Sequence, residues 1–246
     1  MFKLALFGPP QMWWNNQPWH IERRQPRLLL YRLAASTTPV PRAELAHLFW
    51  PEDTEKPNRR LTRLLSTLRR ALPRSDLLLA TGDGITLNQP LVDVGLWFMA
   101  QLRPSSATVQ TDMALETILQ SYRGPLLHGV NLMKFPELEL WLLHEQPYWE
   151  QRYLRLLKCC IYKLISQANL DSAIECAQRY LAIDPYSEEM HRLLMETYMA
   201  SDQRMAALHQ YERCLNALAE LDIEPTAATE AAFAAVCAAF PQIASP

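Results

Sequence analysis

Asn58-Arg59-Arg60-Leu61-Thr62-Arg63-Leu64-Leu65-Ser66-Thr67-Leu68-Arg69-Arg70-Ala71-Leu72 is the stretch that decides the fold of this chain. On a helical wheel with Leu61 at the origin, Leu65, Leu68 and Leu72 fall within about 40° of it and Leu64 at about 60°. Arg59, Arg63 and Arg70 fall on the opposite side, between about 160° and 200°. Ser66 and Thr67 flank them, with Thr62 and Arg60 farther out. The leucine stripe must be core. The opposite face carries guanidinium groups among short hydroxyl side chains and no acid at all. A helix that needed only solubility would interleave Glu with Lys or Arg at i, i+4. Unpaired arginines on one face repel each other until an anion neutralises them. Arg suits bidentate contact with guanine or phosphate, and short Ser and Thr let the backbone approach a groove. This helix is therefore expected to lie in the major groove of DNA. A merely solvated basic face is the alternative.

The flanking elements fit a helix of that kind. Phe2 to Phe7 reads as a strand. Met12 to Trp14 and Pro18 to Ile21 read as two more, with Asn15-Asn16 as the turn between them. Pro26 to Ala35 reads as a helix with Pro26 in its first turn. Val40 marks a short extended piece, and Arg42 to Trp50 a second helix stopped by Pro51. A polar loop, Glu52 to Pro57, leads into the quoted helix. Leu77 to Ala80 and Ile85 to Leu87 then form a hairpin about Thr81-Gly82-Asp83-Gly84. Strands, helix, helix, loop, helix, hairpin is the layout of a winged helix-turn-helix with an N-terminal sheet. Residues 103–111 read as a linker.

Everything after residue 112 reads as helical, with a break at Gly124 to Gly129. Pro136 to Gln167 is one long helix or two with a bend at Pro147. Asp171 to Ile183, Ser187 to Ser201, Gln203 to Leu221 and Thr226 to Phe240 follow. Ala173-Ile174 and Ala207-Leu208 recur at the 34-residue spacing of tetratricopeptide repeats, as do Leu181 and Leu215. Small residues at such points let paired helices approach closely. The expected fold class is an α+β N-terminal winged helix-turn-helix followed by an all-α tetratricopeptide-like helical repeat domain.

Charge follows the same division. Of 246 residues, the first hundred carry a formal +5 and the remainder −7, within a net −2. Lys56, Arg59, Arg60, Arg63, Arg69, Arg70 and Arg74 concentrate the positive charge in 19 residues. Two modules with different partners are expected.

Composition excludes several classes. Only six glycines are present, and there is no Gly-Lys-Ser/Thr, so a phosphate-binding loop of the P-loop kind is absent. Neither Gly-x-Ser-x-Gly nor Ser-x-x-Lys occurs. Cys159, Cys160, Cys176, Cys214 and Cys237 are an odd set in helical stretches, which reads as small buried thiols in a reducing cytosol. No two histidines lie within five residues of each other, so helical His-pair metal sites are absent. No apolar run has the length of a transmembrane helix, and the N-terminus lacks a signal-peptide core and cleavage site. No catalytic residue, metal site or cofactor is expected. Glu188, Glu189 and His191 read as surface residues of a repeat helix and not as an acid/base set. Trp13, Trp14 and Trp19 read as packing between the N-terminal sheet and its neighbour, with a ligand-stacking box as the alternative. Tyr148-Trp149 reads likewise as packing.

Arg42-Ala43-Glu44-Leu45-Ala46-x-Leu48-Phe49-Trp50-Pro51, followed by Leu61, Ser66 and Leu68-Arg69-Arg70-Ala71-Leu72, resembles the OmpR-type DNA-binding domain of Streptomyces antibiotic regulatory proteins. Val92-Asp93 and Trp97 after the hairpin continue the likeness. The second half resembles the bacterial transcriptional activator domain found beside it in that family. The matching residues are Tyr122-Arg123-Gly124-Pro125-Leu126-Leu127, Trp141, Leu181-x-x-Asp184-Pro185, Glu188-x-x-His191-Arg192-x-Leu194-Met195, Tyr211-Glu212, Leu218 through Leu221 and Glu224-Pro225. The resemblance covers nearly the whole chain. It implies a DNA-binding domain over 1–102, a linker over 103–111 and an activator domain over 112–246.

The same resemblance implies a cytoplasmic regulator, not an enzyme, that binds double-stranded DNA as a homodimer on direct repeats and recruits RNA polymerase, with no membrane partner. The third helix would enter the major groove, and the hairpin would be a wing near the adjacent minor groove. Arg59, Thr62, Arg63, Ser66, Thr67 and Arg70 are the expected DNA-contacting positions, because they coincide with the exposed face of the wheel. Three departures from the family stand out. The wing tip carries Asp83 and no base, the segment from Gln11 to Ile21 is unusually aromatic, and the 246 residues read as containing neither a nucleotide-binding ATPase module nor a phospho-accepting receiver. An interaction adaptor, working through the acidic helical half with a winged domain that does not read DNA, is the second expectation.

Overall fold

The computed structural model describes residues 1–52, 57–102 and 112–239, with the side chains of 112–115 left aside. The linker expected at 103–111 and Lys56 of the basic cluster lie outside the described residues. Two compact units are formed, one by residues 1–103 with 116–153, the other by 104–115 with 154–246.

The first unit opens with β1 (Phe2–Ala5), β2 (Gln11–Trp14) and β3 (Gln17–Pro18). Phe2 and Leu4 are buried while Lys3 is exposed, the two-residue alternation of a strand with one covered face. Asn15 and Asn16, at φ 48° and 65°, take the left-handed conformation that a tight two-residue hairpin turn requires. Three helices follow, α1 (Arg24–Ala34), α2 (Arg42–Phe49) after β4 (Val40–Pro41), and α3 (Pro57–Ala71). The wing is β5 (Leu78–Thr81) and β6 (Gly84–Leu87), paired in the order β4-β6-β5. Gly82, at φ +59°, occupies the first central position of its two-residue turn, where a positive φ calls for glycine. The expected winged layout is present.

Two elements of this unit have no counterpart in the sequence-based expectation. β7 (Val92–Val94) pairs in parallel with β1, giving a sheet in the order β3-β2-β1-β7, and α4 (Gly95–Gln101) follows it. A three-residue strand whose partner lies some ninety residues earlier leaves no local periodicity to read. Conversely, the strand expected over Pro18 to Ile21 ends at Pro18. The Trp19 amide still donates to the Met12 carbonyl at 2.9 Å, but its indole N–H turns to the Ala71 carbonyl at 3.3 Å. The chain then enters α1 at Arg24, two residues before Pro26.

Residues 116–153 complete the unit. They comprise most of α5 (Asp112–Ser121), a loop, and the first part of α6 (Pro136–Ser166). The Gly8 amide donates to the carbonyls of Gly124 and Pro125 at 3.0 and 2.9 Å, and the Leu127 amide donates to the Leu6 carbonyl at 2.8 Å. Such an approach needs glycine, since a Cβ on Gly8 would lie 3.1 Å from the Arg123 backbone and side chain. Tyr122 stacks on the buried Tyr153 at 4.2 Å, and Phe7 lies against Tyr122 and Trp149. Trp149 is buried as expected of packing, while its neighbour Tyr148 is half exposed to solvent. Of the two readings left open for 136–167, the single helix holds, and α6 continues through Pro147.

The second unit takes the end of α6 with α7 (Leu170–Leu181), α8 (Glu188–Ala200), α9 (Arg204–Ala219) and α10 (Ala227–Ala238). Ala173 and Ala207, the matched small residues, are both fully buried. The helix ends carry the period independently. Ala168 and Asp202, 34 residues apart, have φ 56° and 58°. Behind them Asn169 and Gln203 donate back to the carbonyls of Leu164 and Tyr198, the Schellman pattern. Asp222 repeats it after α9, with Ile223 donating to Leu218. Lys158 and Tyr162 of α6 both reach Glu189 of α8, at 2.6 and 3.0 Å. Glu188 caps α10 by accepting from the Thr226 amide and hydroxyl. The helical repeat expectation thus holds.

Candidate nucleic-acid interface

Leu61, Leu64, Leu65, Leu68 and Leu72 of α3 and its end are all buried, packed against α1 and α2. Underneath, Arg32 of α1 pairs with Glu44 of α2, and its guanidinium lies 4.8 Å over the Trp141 ring. This fixes the angle between the first two helices and hence the platform for the third.

The opposite face of α3 is open. Arg59, Thr62, Arg63, Ser66 and Arg70 are exposed, and Thr67 is half-buried. Among the described residues, the guanidinium groups of Arg59, Arg63 and Arg70 form no hydrogen bond or ion pair with one another or with any neighbour. The two threonines are held differently. The Thr67 hydroxyl donates to the Arg63 carbonyl at 2.9 Å and the Thr62 hydroxyl to the Asn58 carbonyl at 2.8 Å. Turned back onto the helix, both keep their oxygen lone pairs outward. Arg42 of α2 already uses one, donating from Nη2 to the Thr62 hydroxyl at 2.9 Å.

Arg42 is the member of this face that the wheel of α3 could not show, because it comes from the preceding helix. Its backbone amide also donates to the Asp83 carbonyl at 3.0 Å, which ties the start of α2 to the wing turn. Asp83 itself is exposed. Arg74, counted in the basic cluster, is neutralised. Its Nε donates to Asp76 at 2.9 Å, and the Arg74 guanidinium holds the Asp76 carboxyl below the usual carboxylate range. Thr67 and Arg70 share a shallow cavity of about 390 Å³ with Arg23, Glu22 and Pro26 from the approach to α1. On the α1 side of that cavity the Glu22 carboxylate stands beside Arg23, so the acid-free surface stops at Arg70.

Burial withdraws three cysteines and one histidine from reactive use. Burial pushes the Cys160 thiol up to about 12 and those of Cys176 and Cys214 to about 11, leaving poor nucleophiles. All five cysteines are free, and three are buried. No cluster of His, Cys, Asp and Glu among the described residues could hold a metal ion. No helix among them is long and apolar enough to cross a membrane. His191 departs from expectation, being only 4% exposed and not a surface residue. Its Nε2–H donates to the Pro185 carbonyl at 2.9 Å, and its Nδ1 accepts from the Gln210 amide. Burial lowers its proton affinity, so the ring is a neutral structural bridge between α8 and α9.

The bacterial transcriptional activator domain, as a family model, matches residues 99–237. Among solved structures, EmbR of Mycobacterium tuberculosis, in complex with a low-affinity phosphopeptide, is similar over 96% of this chain, with 22% identity and a TM-score of 0.66. This chain spans 65% of the length of that one. No curated protein sequence matches it. The winged sheet-and-helix unit followed by helical repeats is thus an architecture already seen in EmbR, and the matched domain covers more than half of the chain. The protein belongs to the bacterial transcriptional activator domain family.

Proposed function

We propose that this protein binds double-stranded DNA in a sequence-specific manner and activates transcription by laying α3 in the major groove. The observation that carries the proposal is the acid-free face of α3, on which Arg59, Arg63 and Arg70 stand exposed and unpaired opposite a buried leucine stripe. Thr62, Ser66 and Thr67 offer hydroxyls to phosphate or base edges, and Arg42 extends the cationic surface onto α2. Residues 1–102 would read the operator, 103–111 would join the halves, and 112–246 would carry the dimer, effector or polymerase contacts of a homodimer on direct repeats. The first compact unit extends further, to residue 153. A packing boundary and a functional boundary need not coincide.

Selection of the purified chain against random duplex DNA at two salt concentrations tests the proposal. A repeated motif should be enriched and should be lost with Arg63→Ala. Retention without enrichment would leave only nonspecific electrostatics. A second reading, the adaptor that does not read DNA, has one observation in its favour, the exposed Asp83 at the tip of the wing. It predicts no retention by a well-folded protein at low salt.

A further inference from the structure

The aromatic segment between Gln11 and Ile21 has no part in the proposed DNA interface, yet it walls a sizeable cavity of the first unit. That cavity, of about 750 Å³, lies between β2, β3, α1 and residues 129–131. The volume is in the range of small-molecule sites. Its apolar walls include Trp13, Trp19 and Leu28, and its ionisable lining is Arg24, Arg27, His20 and Tyr31, with no carboxylate.

We propose that this cavity is a binding site for a small planar aromatic carboxylate. The two guanidinium groups are already set in place. Arg24 donates through Nη2 to the Asn131 carbonyl and side chain, and its guanidinium lies 5.5 Å over the Phe135 ring. Arg27 donates through Nη1 to the Ile21 carbonyl at 2.9 Å and meets His20 at 3.5 Å. Each guanidinium carries five N–H groups, so donors remain on both for an anion. Tyr31 supplies the second, independent indication. It is 96% buried, it lines the cavity, and its phenol has no hydrogen-bond partner among the described residues. Held by no neighbour, that hydroxyl is free to donate to an anion in the cavity. Fixed cations and a waiting phenol select a carboxylate, and indole faces with aliphatic walls select a flat apolar body.

Anthranilate, with its neutral counterpart anthranilamide, is a suitable probe pair for calorimetric titration of the full chain. The carboxylate should bind one to one with half-saturation near or below about 1 mM. Anthranilamide should bind at least about tenfold more weakly. Tyr31→Phe, which removes only an unpartnered oxygen, should weaken anthranilate about fivefold while leaving the melting temperature in place. Arg27→Gln should weaken it further. Arg63→Ala, on the α3 face, should leave the titration unchanged, so the result does not depend on whether α3 binds DNA. Equal affinity for the amide, no binding at several times that concentration, indifference to Tyr31→Phe, or equal loss with Arg63→Ala would each overturn the proposal.

Discussion

Replacing Arg59, Arg63 and Arg70 together by Ala tests the α3 face most directly. None of the three side chains forms a bond with a described residue and all are exposed, so their removal should change stability by no more than about 0.5 kcal/mol. The melting temperature should stay within about 2 °C. DNA binding should change in a calculable way. Each neutralised phosphate contributes about 0.9 to the slope of log K against log salt, so three such contacts contribute about 2.7. Between roughly 50 and 200 mM salt the wild type should then lose about fortyfold more affinity than the triple variant. An arginine that reads a base behaves differently when removed singly. It should cost about 1–3 kcal/mol at one operator position with little change in slope. Fluorescence anisotropy on the selected operator, at four or more salt concentrations, separates the two roles for each arginine. Arg74→Ala is the internal control, because Asp76 already neutralises that charge and the slope should not move. A folded triple variant with the wild-type affinity and slope would show that α3 is not the DNA-binding element.

The remaining predictions concern the scaffold. Ala168→Gly should stabilise the chain by about 1 kcal/mol, because a left-handed φ of 56° strains any residue with a Cβ; a lower urea midpoint would contradict the cap. Arg152→Ala should destabilise by about 1–2 kcal/mol, since its guanidinium closes the end of α4 by donating to the carbonyls of Met99, Ala100 and Leu102 at 2.6–2.9 Å. Amide exchange over α4 should accelerate in that variant, and unchanged protection would refute the capping role. His191 should make the helical half acid-sensitive. Its folded-state proton affinity is lowered, chiefly by burial, so the unfolded chain binds the extra proton first and stability falls as pH drops below about 6.5. The melting temperature of His191→Gln should fall less than that of the wild type between about pH 7.5 and 5.5, and parallel curves would exclude this group.

Local chemistry made much of the fold legible. The leucine stripe of α3, the Asn15-Asn16 turn, the Gly82 hairpin and the 34-residue recurrence of Ala173 and Ala207 each follow from neighbours in sequence, where periodicity and backbone preference act. What escaped is carried by contacts between distant residues. β7 pairs with β1, and Gly124 to Leu127 meet Leu6 to Gly8 by backbone hydrogen bonds that leave no pattern in either segment. His191 shows the same limit in a side chain. Its neighbours Glu188 and Glu189 face outward to caps and ion pairs, which suggested a surface, while its own ring turns in towards Gln210.

The candidate interface divides along the same line. The α3 wheel could order Arg59, Thr62, Arg63, Ser66, Thr67 and Arg70 on one face because a single helix fixes their angular positions. It could not place Arg42, which reaches Thr62 from another helix, nor discount Arg74, whose partner Asp76 lies beyond Pro73. Charge counts along a sequence therefore overstate one residue and omit another, although the net field on the face changes little. The aromatic segment is the harder case. Trp13 and Trp19 were expected to fill the gap between the sheet and its neighbour, and Trp19 does bond to the end of α3. Yet a cavity of about 750 Å³ remains beside them, because Arg24 and Arg27 are pulled to backbone carbonyls at its rim and do not collapse into it. Packing and ligand stacking are thus not exclusive at these tryptophans. One edge of Trp19 holds α3 while the same residue lines the cavity, so an occupant there would press on the end of the proposed recognition helix.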